Sequence, residues 1–159
     1  MSFSVTSHGR VDDFIAATEA FRATEPVLTN VIGSISESAR DGRAYDTVMW
    51  LDVRDDAGAV VGCAVRTSPW NLVVSPMPAG AGIAVGRYVA HADPGVPGIA
   101  GVRSVVDEVA EGLGRSTPPQ PAMVDVVRRL DTFTPPTAAV PGAARQATRS
   151  DRDLLLQWM

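Results

Sequence analysis

The sequence predicts an α/β (α+β) domain built around a mainly antiparallel sheet. Three observations carry that expectation: two apolar stripes at helical spacing near the N-terminus, three strand-like runs separated by turn residues, and an alternation of helical and extended patterns after them. The chain has 159 residues, 45% hydrophobic and 20% charged. That is enough for one domain hiding about 70% of its unfolded surface with no disulfide or metal to staple it.

Residues 11–23 place Val11, Phe14, Ile15, Thr18 and Phe21 on one helical face. Thr24 is positioned to cap a second helix, with Glu25 and Pro26 in its first turn, where a negative charge and a missing N–H are both tolerated. Leu28, Val31, Ile32, Ile35 and Ala39 form its stripe, and Asp41-Gly42 ends it. Residues 47–54 are apolar on both faces, as a central strand requires. Asp55-Asp56-Ala57-Gly58 is turn chemistry, residues 59–66 return as a second strand, Ser68-Pro69 interrupts it, and residues 70–75 supply a third. These three runs form an antiparallel meander.

Met77-Pro78 then leads into a helix over 79–91, where Gly80, Gly82 and Gly86 each weaken helix formation by about 1 kcal/mol relative to Ala. Residues 94–101 read as a loop with one short strand. Val102, Val105, Val106, Val109 and Leu113 mark a cleaner helix closed by Gly114. A proline-rich turn over 116–121 precedes a long strand over 122–133, which Pro135 and Pro136 stop. Residues 1–135 are therefore assigned to one domain and 136–142, rich in proline and small residues, to a linker. In 143–159 a short extended piece leads to Ser150, with Asp153 three residues on in the manner of a capping box, and to Leu154, Leu155 and Trp158 on an apolar helix face. This tail reads as the first strand and helix of a second domain. Its competing reading is a terminal helix docked on the first.

Composition excludes several function classes. The net charge is −4, and all 14 basic residues are Arg, scattered along the chain. No basic stripe exists for nucleic acid or for a membrane surface. No apolar run approaches the roughly 20 residues that cross a bilayer, and the N-terminus lacks a secretory pattern, so the expected compartment is the cytoplasm. Cys63 is the only cysteine and lies in an apolar run, the setting of a small core hydrophobe. His8 and His91 are isolated, so no metal site is expected. No nucleophile elbow, phosphate-binding Walker loop or dinucleotide fingerprint occurs.

Asp52 falls on the central strand and needs a partner, for which Arg54 and Arg66 are available. Facing a groove, it would instead receive a substrate amine. Asp55 and Asp56 are expected to be simply solvated, and Asp107, Glu108 and Glu111 to line the wet side of a helix. Trp50 and Trp70 read as core or interface anchors. Tyr45 and Tyr88, the only tyrosines, are the available phenolic acids.

The order of these elements resembles the GNAT superfamily of N-acetyltransferases. The closing run RQATRSDRDLLLQWM is similar to the opening strand and first helix of such a domain. Arg66-Thr67-Ser68-Pro69, Ser75-Pro76-Met77-Pro78 and Gly95-Val96-Pro97-Gly98 resemble features of two-part bacterial proteins in which a degenerate GNAT-like half precedes a complete one. The resemblance implies a mixed, mainly antiparallel sheet with helices on both faces. It implies acetyl transfer from acetyl-CoA to a small-molecule or peptide amine by the complete protein. In this family an Arg/Gln-x-x-Gly-x-Gly/Ala loop holds the pyrophosphate on backbone N–H groups. Here Gly80-Ala81-Gly82 supplies only the Gly-x-Gly, Met77 stands where Arg or Gln belongs, and two prolines precede it. Gly80 and Gly82 are thus weak candidates for cofactor contact, and this chain is expected to bind no acetyl-CoA and to be inactive alone. Neither tyrosine matches a family catalytic position, so no catalytic residue is assigned. Asp52, Trp70, Asn71 and Tyr88 are candidates for an acceptor groove. The alternative is a stand-alone, non-catalytic interaction module that homodimerises through its sheet edge or C-terminal helix.

Overall fold

In the computed structural model, residues 2–115, 120, 123–135, 137 and 141–158 are described. The chain divides into two units, Met1–Arg129 and Leu130–Met159.

The first unit begins with a strand that hydropathy does not announce. β1, Ser4–His8, carries one aliphatic residue and is an edge strand, antiparallel to β2, Val48–Arg54. α1, Val11–Thr24, and α2, Asn30–Arg40, intervene. Thr24 does not cap α2. It remains in α1 and donates its hydroxyl to the Phe21 carbonyl, and α2 starts five residues later than its sequence pattern allows, leaving Leu28 and Val31 exposed. Phe14 and Ile32 are the buried anchors of the pair.

β2 continues into β3, Val60–Thr67, and β4, Leu72–Val74, as the expected antiparallel meander. Asp55 organises the first hairpin. Its Oδ1 accepts the N–H groups of Ala57 at 3.0 Å and Ala59 at 2.9 Å. Asp56 accepts the Ser2 N–H and hydroxyl, which hold its carboxyl below the usual range. Neither carboxylate is simply solvated: Asp55 reaches backbone N–H groups that the tight turn leaves free, and Asp56 meets Ser2 from the start of the chain.

α3, Ala81–Ala92, returns the chain so that β5, Ile99–Ala100, pairs parallel to β4. α4, Arg103–Gly112, follows. The result is a mixed α/β fold with a five-stranded, mostly antiparallel sheet in the order β1-β2-β3-β4-β5 and helices on both faces. Alternate residues of β2 and β3 feed two cores. Leu51, Val53 and Ala64 pack with α3 and α4, whereas Trp50, Cys63 and Val65 pack with α1 and α2.

The glycines of α3 have a packing reason. A Cβ at Gly86 would lie 2.2 Å from the Val109 carbonyl oxygen and 2.8 Å from the Gly112 Cα, so the two helices touch backbone to backbone. What looks in sequence like a weakened helix is a helix shaped for close contact with α4.

The strand expected over 122–133 is not formed. Residues 123–133 adopt no regular structure, and Met123, Val124, Val126, Leu130 and Phe133 are all exposed. A strand exists only through its hydrogen-bonded neighbour, which β propensity cannot supply. Residue 122, most of the turn expected at 116–121, and linker residues 136 and 138–140 lie outside the described residues.

In the second unit, a 3₁₀ turn over Arg149–Asp151 leads into α5, Arg152–Gln157. The cap is Thr148, not Ser150. The Thr148 hydroxyl and N–H both donate to Asp151 Oδ2, at 2.9 and 2.7 Å, and the Ser150 hydroxyl meets that of Thr148. The carboxylate that reaches back is the one three residues after Thr148.

Candidate functional site

The segment between β4 and α3 lies where the GNAT resemblance puts its phosphate cradle. Ser75 is fully buried and tied to β3 in both directions. Its N–H donates to the Cys63 carbonyl, and its hydroxyl accepts the Cys63 N–H, each at 2.9 Å. Pro76 and Pro78 bring no N–H. Met77 turns back onto Gly62, where a Cβ would be 2.9 Å from that of Met77. Gly80 then adopts φ +87°, a left-handed conformation that suits glycine, and opens α3.

Three consecutive N–H groups at this helix start are taken. Gly80 N–H donates to Glu108 Oε1 at 2.9 Å, Gly82 N–H to Glu108 Oε2 at 3.1 Å, and Ala81 N–H to the Pro78 carbonyl at 3.0 Å. A Cβ on Gly82 would meet the Glu108 Cβ at 2.7 Å, so glycine there is what admits the carboxylate. Glu108 therefore does not line the wet side of α4, as the sequence expectation had it. Its carboxylate bridges the two helices and occupies the place a bound anion would take at the positive end of α3. Only proximity in the fold, across 26 residues or more, brings these groups together.

A second polar centre lies beneath α1. Asp52 has no exposed surface. It accepts His8 Nε2 at 2.8 Å, Arg54 Nε at 3.0 Å and Arg54 Nη2 at 2.9 Å. The Asp52 carboxylate holds the Arg54 guanidinium above its usual pKa. Arg66, the other partner considered for Asp52, instead binds Asp93 at 2.9 Å and the Trp70 carbonyl, anchoring the end of β3 to that of α3. Asp52 thus serves an ion pair whose carboxylate is buried and whose guanidinium is partly exposed, with its hydrogen bonding met by the protein itself. His8, isolated in sequence, belongs to this cluster because β1 pairs with β2. Cys63 is buried in the same layer, and its burial pushes the thiol up to about 12, which leaves it un-ionised and unreactive near neutrality.

The four candidate groove residues are not brought into one groove. Asp52 belongs to the α1 and α2 face, and Tyr88 packs against the opposite core with α3 and α4. Trp70 is 66% exposed on the turn between β3 and β4, and the Asn71 side chain lies over Gly98. Among the described residues, no group of His, Cys, Asp or Glu is arranged to hold a metal, and no helix is long and apolar enough to cross a membrane.

No family model, curated protein or solved structure matches this chain.

Proposed function

We propose that this chain is the non-catalytic N-terminal part of a GNAT-type N-acetyltransferase, whose complete form moves an acetyl group from acetyl-CoA to an amine. The fold is compatible with that reading. Three antiparallel pairings are followed by a parallel β4–β5 pair, with α3 entering directly after β4. The observation that carries the non-catalytic assignment is Glu108. With its carboxylate on Gly80 and Gly82, a diphosphate would have to displace a tethered anion from the same N–H groups. The exposed apolar residues of 123–133 and of α5 support a role for these segments in packing against further polypeptide.

Two measurements test this. The chain alone, heated with acetyl-CoA, should show no thermal stabilisation. A ligand at 100 times its dissociation constant would add about 2.7 kcal/mol, and such a shift overturns the non-catalytic assignment. The product of the complete reading frame containing this chain should transfer acetyl groups to a primary amine, and no transfer across an amine panel overturns the acetyltransferase reading. The interaction-module reading draws on the exposed Leu154, Leu155, Leu156 and Trp158. A concentration-dependent dimer abolished by Leu155→Ser would favour it.

A further inference from the structure

A third feature is independent of the acetyltransferase reading. α2 and the loop after it border a shallow, open depression. Asn30, Ser34 and Ser38 stand at four-residue spacing along one line of α2, with Val31 and Ile35 beside them as an apolar floor. The loop folds back through the Arg43 N–H, which donates to the Ser38 carbonyl at 2.9 Å, and this closes the depression with Arg43 and Tyr45. The Arg43 guanidinium lies over the Tyr45 ring, 5.4 Å from its centroid, a cation–π contact that orients its donor fork.

At least seven of the fourteen arginines are held by carboxylates, and Arg43 is not among them. Arg10, Arg40, Arg54, Arg66, Arg103, Arg145 and Arg152 each pair with a carboxylate. Among the described residues Arg43 has no such partner, and no acidic residue lines the depression. The side chains of Asn30, Ser34 and Ser38 make no hydrogen bond within the described structure. A guanidinium oriented by Tyr45, two hydroxyls and an amide thus line one open surface beside a small apolar strip. Oxygen anions are what a guanidinium fork recognises.

We propose that this depression binds a compact organic oxyanion, a carboxylate or a phosphate monoester. The anion is held by Arg43 with help from Ser34 and Ser38, and its apolar part rests on Val31, Ile35 and Tyr45.

The test is a titration of the full chain followed by ¹H–¹⁵N NMR, with benzoate, phenyl phosphate and neutral benzyl alcohol as probes. The expected result is saturable millimolar or tighter binding of at least one anion, with shifts concentrated in residues 30–45, and none by benzyl alcohol. Preference for benzoate assigns a carboxylate ligand, and preference for phenyl phosphate a phosphate monoester. Arg43→Gln should weaken binding about tenfold, equivalent to about 1.4 kcal/mol, with the melting temperature unchanged because the side chain is exposed. No saturable shift in 30–45, an undiminished affinity in Arg43→Gln, or equal binding of benzyl alcohol overturns the proposal.

Discussion

Glu108 and Asp151 both accept backbone N–H groups at the start of a helix, in two regions of the chain that reach this arrangement differently. Asp151 caps from within its own turn, three residues after Thr148, and is further held by Arg145 Nη1 and Nη2 at 2.7 and 2.8 Å. Every described residue of 141–158 except Asp151 is exposed. This cap is local chemistry, and the order it brings is that of a short helix with nothing buried. Glu108 reaches α3 from α4, and it can do so only because Gly82, Gly86 and Gly112 let the two helix backbones meet. The difference teaches that the same carboxylate-to-amide bond reports local sequence in one region and completed tertiary packing in the other. Asp52 belongs with Glu108, since its partner His8 lies 44 residues away.

Breaking the long-range set should cost most. Asp52→Ala removes the buried acceptor of Arg54 and His8, and should lower stability by about 2–3 kcal/mol, since the Arg54 guanidinium left behind is partly solvated, read from urea unfolding. A loss below 1 kcal/mol would place Asp52 with the local, exposed carboxylates. Glu108→Ala frees two N–H groups at the start of α3. It should cost about 2 kcal/mol, with amide exchange accelerated at Gly80 and Gly82. Unchanged exchange there would mean that the bridge does not hold α3.

Cys63 extends the comparison to pH. Its folded pKa of about 12 lies above the unfolded value of about 8.5. Its contribution is therefore complete below pH 8.5 and is lost as pH rises toward 12, with a limiting slope of about 1.4 kcal/mol per pH unit. Cys63→Ala should remove that slope in denaturant titrations, and an identical alkaline profile in the variant would refute the assignment. The smallest effect belongs to the local cap. Arg145 and Thr148 depress the Asp151 carboxyl, so its capping contribution persists above the ordinary aspartate pKa of about 3.9 and is lost only as pH falls well below it. Asp151→Ala should speed exchange of the Thr148 amide while leaving unfolding of the first unit unchanged. Slowed unfolding or destabilisation of that unit would show that the tail's cap is not a local device.

Much of the first unit was legible because burial imposes periodicity. Phe14, Ile32, Leu51, Val53, Val65 and Val109 repeat at the spacing of their elements, and the turn at Asp55–Gly58 uses residues with few other conformational roles. β1 was not legible, since an edge strand needs only one wet and one half-covered face. The strand expected over 122–133 failed for the converse reason, having propensity without a partner. At the candidate site, the lack of N–H donors before Gly80 could be read from Pro76 and Pro78, whereas the Glu108 carboxylate on Gly80 and Gly82 could not. The partnership of Asp52 was legible in its need and ambiguous in its answer, because strand neighbours offer Arg54 and Arg66 alike until Asp93 claims the second.

The sequence by itself determined the helix stripes, the meander and the turn residues, all of them governed by neighbours within a turn or a strand. Tertiary structure alone decided that Glu108 seats on α3, that His8 joins Asp52, that the glycines of α3 serve contact rather than flexibility, and that Arg43 is left facing an open depression. Charges and backbone amides far apart in sequence become partners only when packing places them within hydrogen-bond distance, and one chain's residue order carries no measure of that distance.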